Sequence, residues 1–516
     1  MSLPRVVVIG SGIGGSAVTL ALAHAGLPVT LVEKNPLIGG SCSFYEKEGW
    51  QLDVGTHLFS RGDEGPLGDL LRRVGAPGAI QFRRTRDIAE LRVATQTSAL
   101  DPIPVPASAA RLPAFAWRVC RAMRLGPLEA ARAACLFSVI LAMSDEDIRA
   151  WDQRTVEDFL EPFGLHDAVC GLFGFLLGLY FVVPYWEASA GEAIWCFQKM
   201  VRANQLSYPV GGSFAVPGTF CSLGQQRGAV LRTGAGVSRV LLGDGAVRGV
   251  ELSTGEVLPA DVVVSTSSLR TTVLHLVGAE HFPEAYARRA RAIRGSSIAV
   301  QVKIALRRKL VSAGALVGGV GKVDDIFTLD AERLKGLYED VAEGRVPECV
   351  PFYAPIPTNF DPSLGPGQLI TACAVAPTTD IQLKDPAEMW EAALMNALRR
   401  VIPGLDAHTV FCDRFSTRWI ESWVGKEFGP AISTAQIPGQ VGELRPSVET
   451  PIGGLYIAGC GAGARGVGTE LAAASGMETA DAILAREGRQ TWRRRAPRSE
   501  RLLSRGAALW GKLATP

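Results

Sequence analysis

Arg5-Val6-Val7-Val8-Ile9-Gly10-Ser11-Gly12-Ile13-Gly14-Gly15 is a short apolar run that breaks directly into glycines. Residues 5–9 read as a buried parallel strand, residues 14–25 as a helix and residues 28–32, Pro-Val-Thr-Leu-Val, as a second strand, which together make one βαβ unit. The glycines satisfy G-x-G-x-x-G at the strand-to-helix junction, and each has a mechanical reason. Gly10 permits the tight turn, Gly12 lets backbone approach a pyrophosphate, and Gly15 lets helix and strand pack closely, while Ile13 and Gly14 open a helix whose free N–H groups face the phosphates. Glu33 closes the second strand 21 residues after Gly12, the distance at which a carboxylate accepts hydrogen bonds from ribose hydroxyls, with Lys34 beside it. An acid there disfavours a 2′-phosphate, so FAD or NAD is preferred over NADP.

Working outward, 516 residues exceed one simple core, and two domains interleaved in sequence are expected. A chain that is 47% hydrophobic and 20% charged, with a net charge of +2, does not fit a nucleic-acid binder that neutralises many phosphates. The ten cysteines include no C-x-x-C pair and the six histidines stand apart, so neither a metal site nor a disulfide framework is spelled out. Reduced thiols and a cytoplasmic location are the expectation. The run Val6–Ile9 is too short for a signal peptide, and the apolar stretch 168–183 carries Gly171, Gly174 and Gly178 and falls short of the roughly 20 residues of a membrane-spanning helix.

From about Arg84 to Met200 the pattern reads as helical, with Trp117, Trp151, Trp186 and Trp195 among long aliphatic runs. Strands return over 228–264, with turns at Gly243-Asp244-Gly245 and Thr254-Gly255. Ser297 to Leu306 opens a mixed stretch ending near Gln440, and Leu455 to Ala485 is strand, glycine turn and helix. The expected division is a discontinuous nucleotide-binding domain from 1–85, 205–290 and 440–486, a second domain from 86–204 and 291–439, and a basic tail, 487–516, holding Arg493-Arg494-Arg495 between Trp492 and Trp510.

Ile38-Gly39-Gly40-Ser41, followed by Gly49, Asp53 and Gly55, resembles the phytoene desaturase, carotenoid isomerase and retinol saturase family of flavoproteins, which is related to the amine oxidases. The resemblance continues through Tyr208-Pro209-x-Gly211-Gly212-Ser213, the strands at Val237 and Val262–Ser265, Asp361-Pro362-Ser363-Leu364, Arg445-Pro446 and the string from Gly453 to Gly476. It implies an α/β fold, a Rossmann-like FAD-binding domain (GR2-type) with an interleaved mixed α+β substrate domain. It also implies FAD as cofactor, with Gly39, Gly40 and Ser41 beside the diphosphate, and Asp53, Gly55, Thr56 and His57 passing the isoalloxazine ring. Val237 falls on the adenine side, and Gly459, Gly466, Val467, Gly468 and Thr469 at the ring's N1–C2=O edge, where a helix N-terminus stabilises the charge of reduced flavin. In one departure, Gly459 is followed by Cys460 and Gly461 where many relatives carry an acid for the ribityl chain.

In that family flavin N5 exchanges hydride, and the protein supplies orientation and electrostatics. Candidate chemical residues are His57, as a polar group near the ring or a core histidine, Arg61, as a substrate anchor or a solvent-facing side chain, and Glu470, as an acid or a helix-end residue. Phe173, Phe175, Tyr180 and Phe181 are candidates for lining a tunnel or filling an ordinary core. The resemblance implies an enzyme that inserts, removes or isomerises C=C bonds in a carotenoid, isoprenoid or other polyene lipid, with oxygen or a quinone as electron acceptor and peripheral membrane contact through the basic tail. A flavin amine oxidase, which would need an aromatic cage and usually a lysine near N5, and a non-catalytic flavoprotein are the alternatives.

Overall fold

A computed structural model describes residues 3–203, 206–323, 327, 331–415 and 417–491. The valine-rich run Val6–Ile9 lies at the centre of a five-stranded parallel sheet, in the order Leu455–Ile457, Val262–Ser265, Val6–Ile9, Val29–Val32, Val230–Arg232. Its residues are buried on both faces, as a parallel strand requires when both faces are covered. One face carries the first helix, Ile13–His24, and the last, Gly468–Arg486. These helices touch at backbone distance: a Cβ on Gly476 would lie 2.8 Å from the Gly14 carbonyl oxygen. The other face is covered by a meander of Val237–Gly243, Ala246–Leu252 and Val257–Pro259. Its first turn is Asp244-Gly245, both at positive φ, which is the two-residue turn that matches strand twist.

A second sheet has seven strands, in the order Thr409–Phe415, Ile298–Leu306, Gln368–Ala376, Val350–Pro355, Ala315–Gly321, Asp87–Thr95, Ile103–Pro106. All neighbours are antiparallel except Ala315–Gly321 with Asp87–Thr95. The helical reading from Arg84 onward is therefore corrected at its start. Ala89, Leu91 and Val93 are buried while Glu90 and Arg92 are not, a period of two that belongs to a strand. Helices follow from Leu112 to Ala203 and enclose an apolar core with Leu136, Phe175 and Phe181. Among the described residues no helix is long and apolar enough to cross a membrane.

The ladder of Ile298–Leu306 and Gln368–Ala376 pairs Lys303 with Thr371 and Gln301 with Cys373, and Cys373 in turn pairs with Tyr353. Side chains alternate along a strand, so these five share the face turned toward the Asp53–His57 segment.

Candidate functional site

Gly10 holds φ at +92°, and a Cβ on Gly15 would sit 1.9 Å from the Gly10 carbonyl oxygen, so neither position admits a side chain. Gly12 is different. Its φ of −59° suits any residue, and an added Cβ would meet nothing within 4 Å, so the space over the turn is open. Gly39 and Gly40 close its far side, with the Gly39 N–H donating to Ser11 Oγ at 3.0 Å. Ile13 is buried at the start of the helix, and Gly14 packs against Gly459, with a Cβ placed 2.9 Å from the Gly459 Cα. The beginning and end of the chain thus meet at the cradle.

Glu33 is buried and accepts from the Ser11 N–H at 2.9 Å, from Ser11 Oγ at 2.5 Å and from the Asn35 N–H at 2.9 Å. A carboxylate has about four acceptor sites, so one remains for a ribose hydroxyl. Ala235 donates its N–H to the Glu33 carbonyl at 2.9 Å, which lays the start of the Val237 strand beside this acid. Lys34 turns away, its ammonium donating to the carbonyl of Ser422. An open approach over Gly12 and a buried acid beyond it fit a dinucleotide such as FAD.

The ring-side segment is tied to the cradle, because the Gly55 N–H donates to the Ser41 carbonyl at 3.0 Å. Thr56 follows and hydrogen-bonds Cys42, whose thiol burial pushes up to about 12. Asp53 is committed elsewhere: its carboxylate accepts from the Ser213 N–H at 3.1 Å and anchors the Gly211–Ser213 turn. That contact ties the Gly211–Ser213 turn to the Asp53–Gly55 segment. The surprise is Lys303, fully buried in the second sheet, whose ammonium donates to the Asp53 carbonyl and to that of Val54 at 3.4 Å. Burial draws the Lys303 ammonium below the usual lysine range and pushes the Asp53 carboxyl above the usual carboxylate range. His57 is 7% exposed, with Gln301 as the side-chain hydrogen-bonding neighbour of its imidazole. Burial and the Lys303 charge push its imidazole down to about 3, so it is neutral at ordinary pH.

At the other edge the last helix starts at Gly468, with Val467 ahead of it and Thr469 in its first turn. A loop from Gly459 leads there, and Cys460 is a packing residue whose thiol donates to the Gly468 carbonyl at 3.1 Å. Fully buried Glu192 holds this loop, accepting from the Gly466 N–H at 2.6 Å and pairing with Arg445 at 3.2 Å and Arg465 at 3.3 Å. Asp152 also pairs with Arg465. Arg61 does not face solvent: it is buried in an ion pair with Glu470, which also accepts from the Arg61 N–H at 2.6 Å and from Ser60 Oγ at 2.9 Å. With both carboxylate oxygens occupied, Glu470 fastens the segment after His57 to the last helix.

An apolar groove of about 730 Å3, its open mouth included, runs between helix Asp167–Tyr180 and the second sheet. Phe175, Gly178, Leu337, Val350, Val375 and Trp390 line it. Of the four aromatic candidates, Phe175 faces the groove, Phe173 stacks on Phe137 at 5.7 Å, and Phe181 is core. Tyr180 hydrogen-bonds Ser60 at 3.4 Å. The tail from Trp492 onward, with its arginines and Trp510, lies outside the described residues. Lys303, Glu192, Asp152 and Arg465 escaped the sequence reading, although a lysine in the alternating run Ser297–Leu306 was the available signal.

Comparison with known proteins agrees with this fold. The model of the flavin containing amine oxidoreductase family matches residues 14–484. The chain is 26% identical over 481 residues to a zeta-carotene-forming phytoene desaturase of Myxococcus xanthus, covering 86% of each chain. It is 26% identical over 511 residues to a phytoene dehydrogenase of Streptomyces griseus, covering 93% of this chain and 95% of that one. An oxidoreductase from Methanosarcina mazei shares the fold with a TM-score of 0.68 at 19% identity, covering 92% of this chain and 99% of that one. The chain belongs to the flavin containing amine oxidoreductase family and is an FAD-dependent oxidoreductase.

Proposed function

We propose that the protein desaturates carbon–carbon bonds of a carotenoid or related polyene lipid. The observation that supports this most is the groove, whose lining holds no carboxylate, ammonium or guanidinium and so suits a long uncharged chain. The relatives named as phytoene desaturase and phytoene dehydrogenase point the same way. Bound FAD supplies a hydride acceptor at N5, with oxygen or a quinone as the final electron acceptor. The protein's own part is to exclude water with the apolar walls, to fix the ring-side segment through Lys303 and to hold the Gly459–Gly468 loop through Glu192. His57, beside that segment and hydrogen-bonding with Gln301, is the chemical candidate not committed to an ion pair. Arg61 and Glu470 act as positioning residues.

Lipid extraction requires a route from the bilayer, and one surface supports such a reading. Helices Leu112–Ala122 and Pro127–Ala142 expose Leu112, Trp117, Leu128, Phe137, Val139 and Leu141, with Arg118, Arg121, Arg124 and Arg132 exposed among them. An apolar face rimmed by guanidinium groups suits an anionic membrane surface. Flotation with anionic vesicles, reversed by high salt or by Trp117→Glu with Leu128→Glu, is the expected result, and flotation that these changes leave intact contradicts the surface.

Lys303 favours a second reading, oxidation of an amine. Anaerobic mixing separates the two: loss of the oxidised-flavin absorbance with phytoene supports desaturation, whereas loss with putrescine or benzylamine but not with phytoene overturns it. Lipid extracts of a host with and without the gene then identify the product.

A further inference from the structure

Residues 417–431 follow the edge strand Thr409–Phe415 of the second sheet and cross to the nucleotide cradle. Helix Thr417–Val424 is fastened there by Trp423 Nε1 donating to Ser43 Oγ at 2.7 Å, by Asn35 Nδ2 donating to the Trp423 carbonyl at 2.8 Å, and by the Lys34 contact with Ser422. The chain then turns through left-handed positions at Gly425, Phe428 and Gly429. Phe428 carries a side chain at a φ of +64°, a conformation that persists only where the surroundings fix it. Here Glu421 accepts from the Phe428 N–H at 2.8 Å, and the Arg270 guanidinium lies 5.4 Å from the Phe428 ring centroid. Held between these points, Lys426 lines a cleft of about 410 Å3, its open mouth included, with Ser41, Gly55, Gln301, Glu421 and Pro430.

The ammonium of Lys426 has one hydrogen-bond acceptor among the described residues, the Ala431 carbonyl at 3.3 Å. The neighbouring carboxylates are turned to other partners. Glu421 accepts from Thr379 Oγ1 at 2.6 Å as well as from Phe428, and Glu427 pairs with Arg270 at 3.1 Å and lies 3.7 Å from His275. The ionisable groups that Lys426 faces are the thiols of Cys42 and Cys460. Burial pushes both thiols up, Cys42 to about 12, so neither is a thiolate at neutral pH and neither offsets the ammonium. Elsewhere around the cleft Lys303 is balanced by Asp53, Arg445 is paired with Glu192, and His57 is neutral. One cation is left without an anion, and burial draws it below the usual lysine range.

An anion brought against Lys426 removes that cost, and the cofactor provides one. A hydride delivered to oxidised flavin carries two electrons and one proton, so reduction leaves the cofactor one unit more negative until a second proton arrives. Ser41 and Gly55 lie on the segments expected to run from the diphosphate to the ring, and Cys460 on the loop that leads to the last helix, so Lys426 stands where these converge. We propose that Lys426 sets the reduction potential of the bound FAD: its ammonium stabilises the negative charge that reduction places on the flavin and shifts the protein's preference toward reduced FAD. This rests on FAD as the cofactor and is independent of the substrate.

The test equilibrates the FAD-loaded protein with a reference dye during slow anaerobic reduction, in the wild type, Lys426→Met and Lys426→Arg, each verified folded by its melting curve. Lys426→Met lowers the preference for reduced over oxidised FAD by about tenfold or more, which is ~30 mV or more for a two-electron couple, while its affinity for oxidised FAD stays near that of the wild type. Lys426→Arg, which keeps the charge, keeps the wild-type potential. The pH dependence moves as well: one proton per two electrons makes the wild-type potential fall by about 30 mV per pH unit near neutrality, and the slope of Lys426→Met steepens toward ~59 mV, the value for two protons. A potential and slope that Lys426→Met leaves unchanged overturn the proposal. Equal loss of affinity for oxidised and reduced FAD at unchanged potential also overturns it, by giving the ammonium to the diphosphate. A Lys426→Arg potential as low as that of Lys426→Met overturns it too, because charge is then not the cause. Failure of the wild type to take up FAD overturns the cofactor reading itself and is told apart by the absence of colour.

Discussion

Breaking the Arg61–Glu470 pair is the sharpest perturbation of the account's division between chemistry and positioning. Both side chains are 7% exposed, so removing one partner strands a charge where solvent does not reach it. Such a loss costs about 3–5 kcal/mol, far more than a surface pair. Glu470 additionally accepts from the Arg61 N–H and from Ser60, so Glu470→Gln keeps part of the bonding and falls at the lower end, while Arg61→Met falls at the upper. With an unfolding entropy of roughly 2.1 cal/mol/K per residue, a cooperative unit of this size loses about 1 °C per kcal/mol, so each single variant melts roughly 3–5 °C lower. The double variant strands nothing. It melts above the sum of the singles by a coupling of at least ~2 kcal/mol in a double-mutant cycle. The assay is a melting curve of the apoprotein at neutral pH alongside the rate of anaerobic flavin reduction. Singles that melt as the wild type, or a Glu470→Gln that abolishes flavin reduction at unchanged stability and FAD affinity, refute the positioning role and restore Glu470 as a chemical group.

His57 supplies a pH prediction. Its imidazole takes a proton near 6.5 in the unfolded chain and at about 3 in the folded one, so the unfolded state binds more protons between those values and stability falls as pH drops through that window. At pH 4.5 the loss from this residue is about 3 kcal/mol relative to pH 8, and His57→Phe removes it; parallel acid-melting curves for both proteins contradict the burial argument. Glu192→Gln strands Arg445 and weakens the hold on the Gly466 N–H. Equilibrium titration is expected to show FAD affinity lowered by about tenfold or more, and unchanged affinity contradicts the clamp.

The nucleotide cradle was legible because its constraints are local. Gly10 needs a positive φ and Gly15 a bare backbone within one turn of chain, and the two strands and helix follow one another directly. The Asp244-Gly245 hairpin was legible for the same reason. What escaped depends on distant packing. Arg61 looks like any charged residue until Glu470, 409 residues later, closes on it. Lys303 sits in an alternating run that reads as the wet side of a strand, and only the Asp53–Val54 segment, some 250 residues earlier, covers it. The strand Asp87–Thr95 was absorbed into the helical stretch because its partner, Ala315–Gly321, lies far along the chain.

The central claim is that FAD lies with its diphosphate over Gly12, and titration of FAD into the wild type and into Gly12→Ala tests it most directly. The added methyl meets no protein atom within 4 Å at a φ of −59°, so the variant apoprotein melts with the wild type. It occupies the backbone approach itself, so wild type takes up one FAD per chain and the variant binds it at least ~10-fold more weakly. A wild-type protein that stays colourless with FAD in excess, or a variant that binds it equally well, contradicts the account.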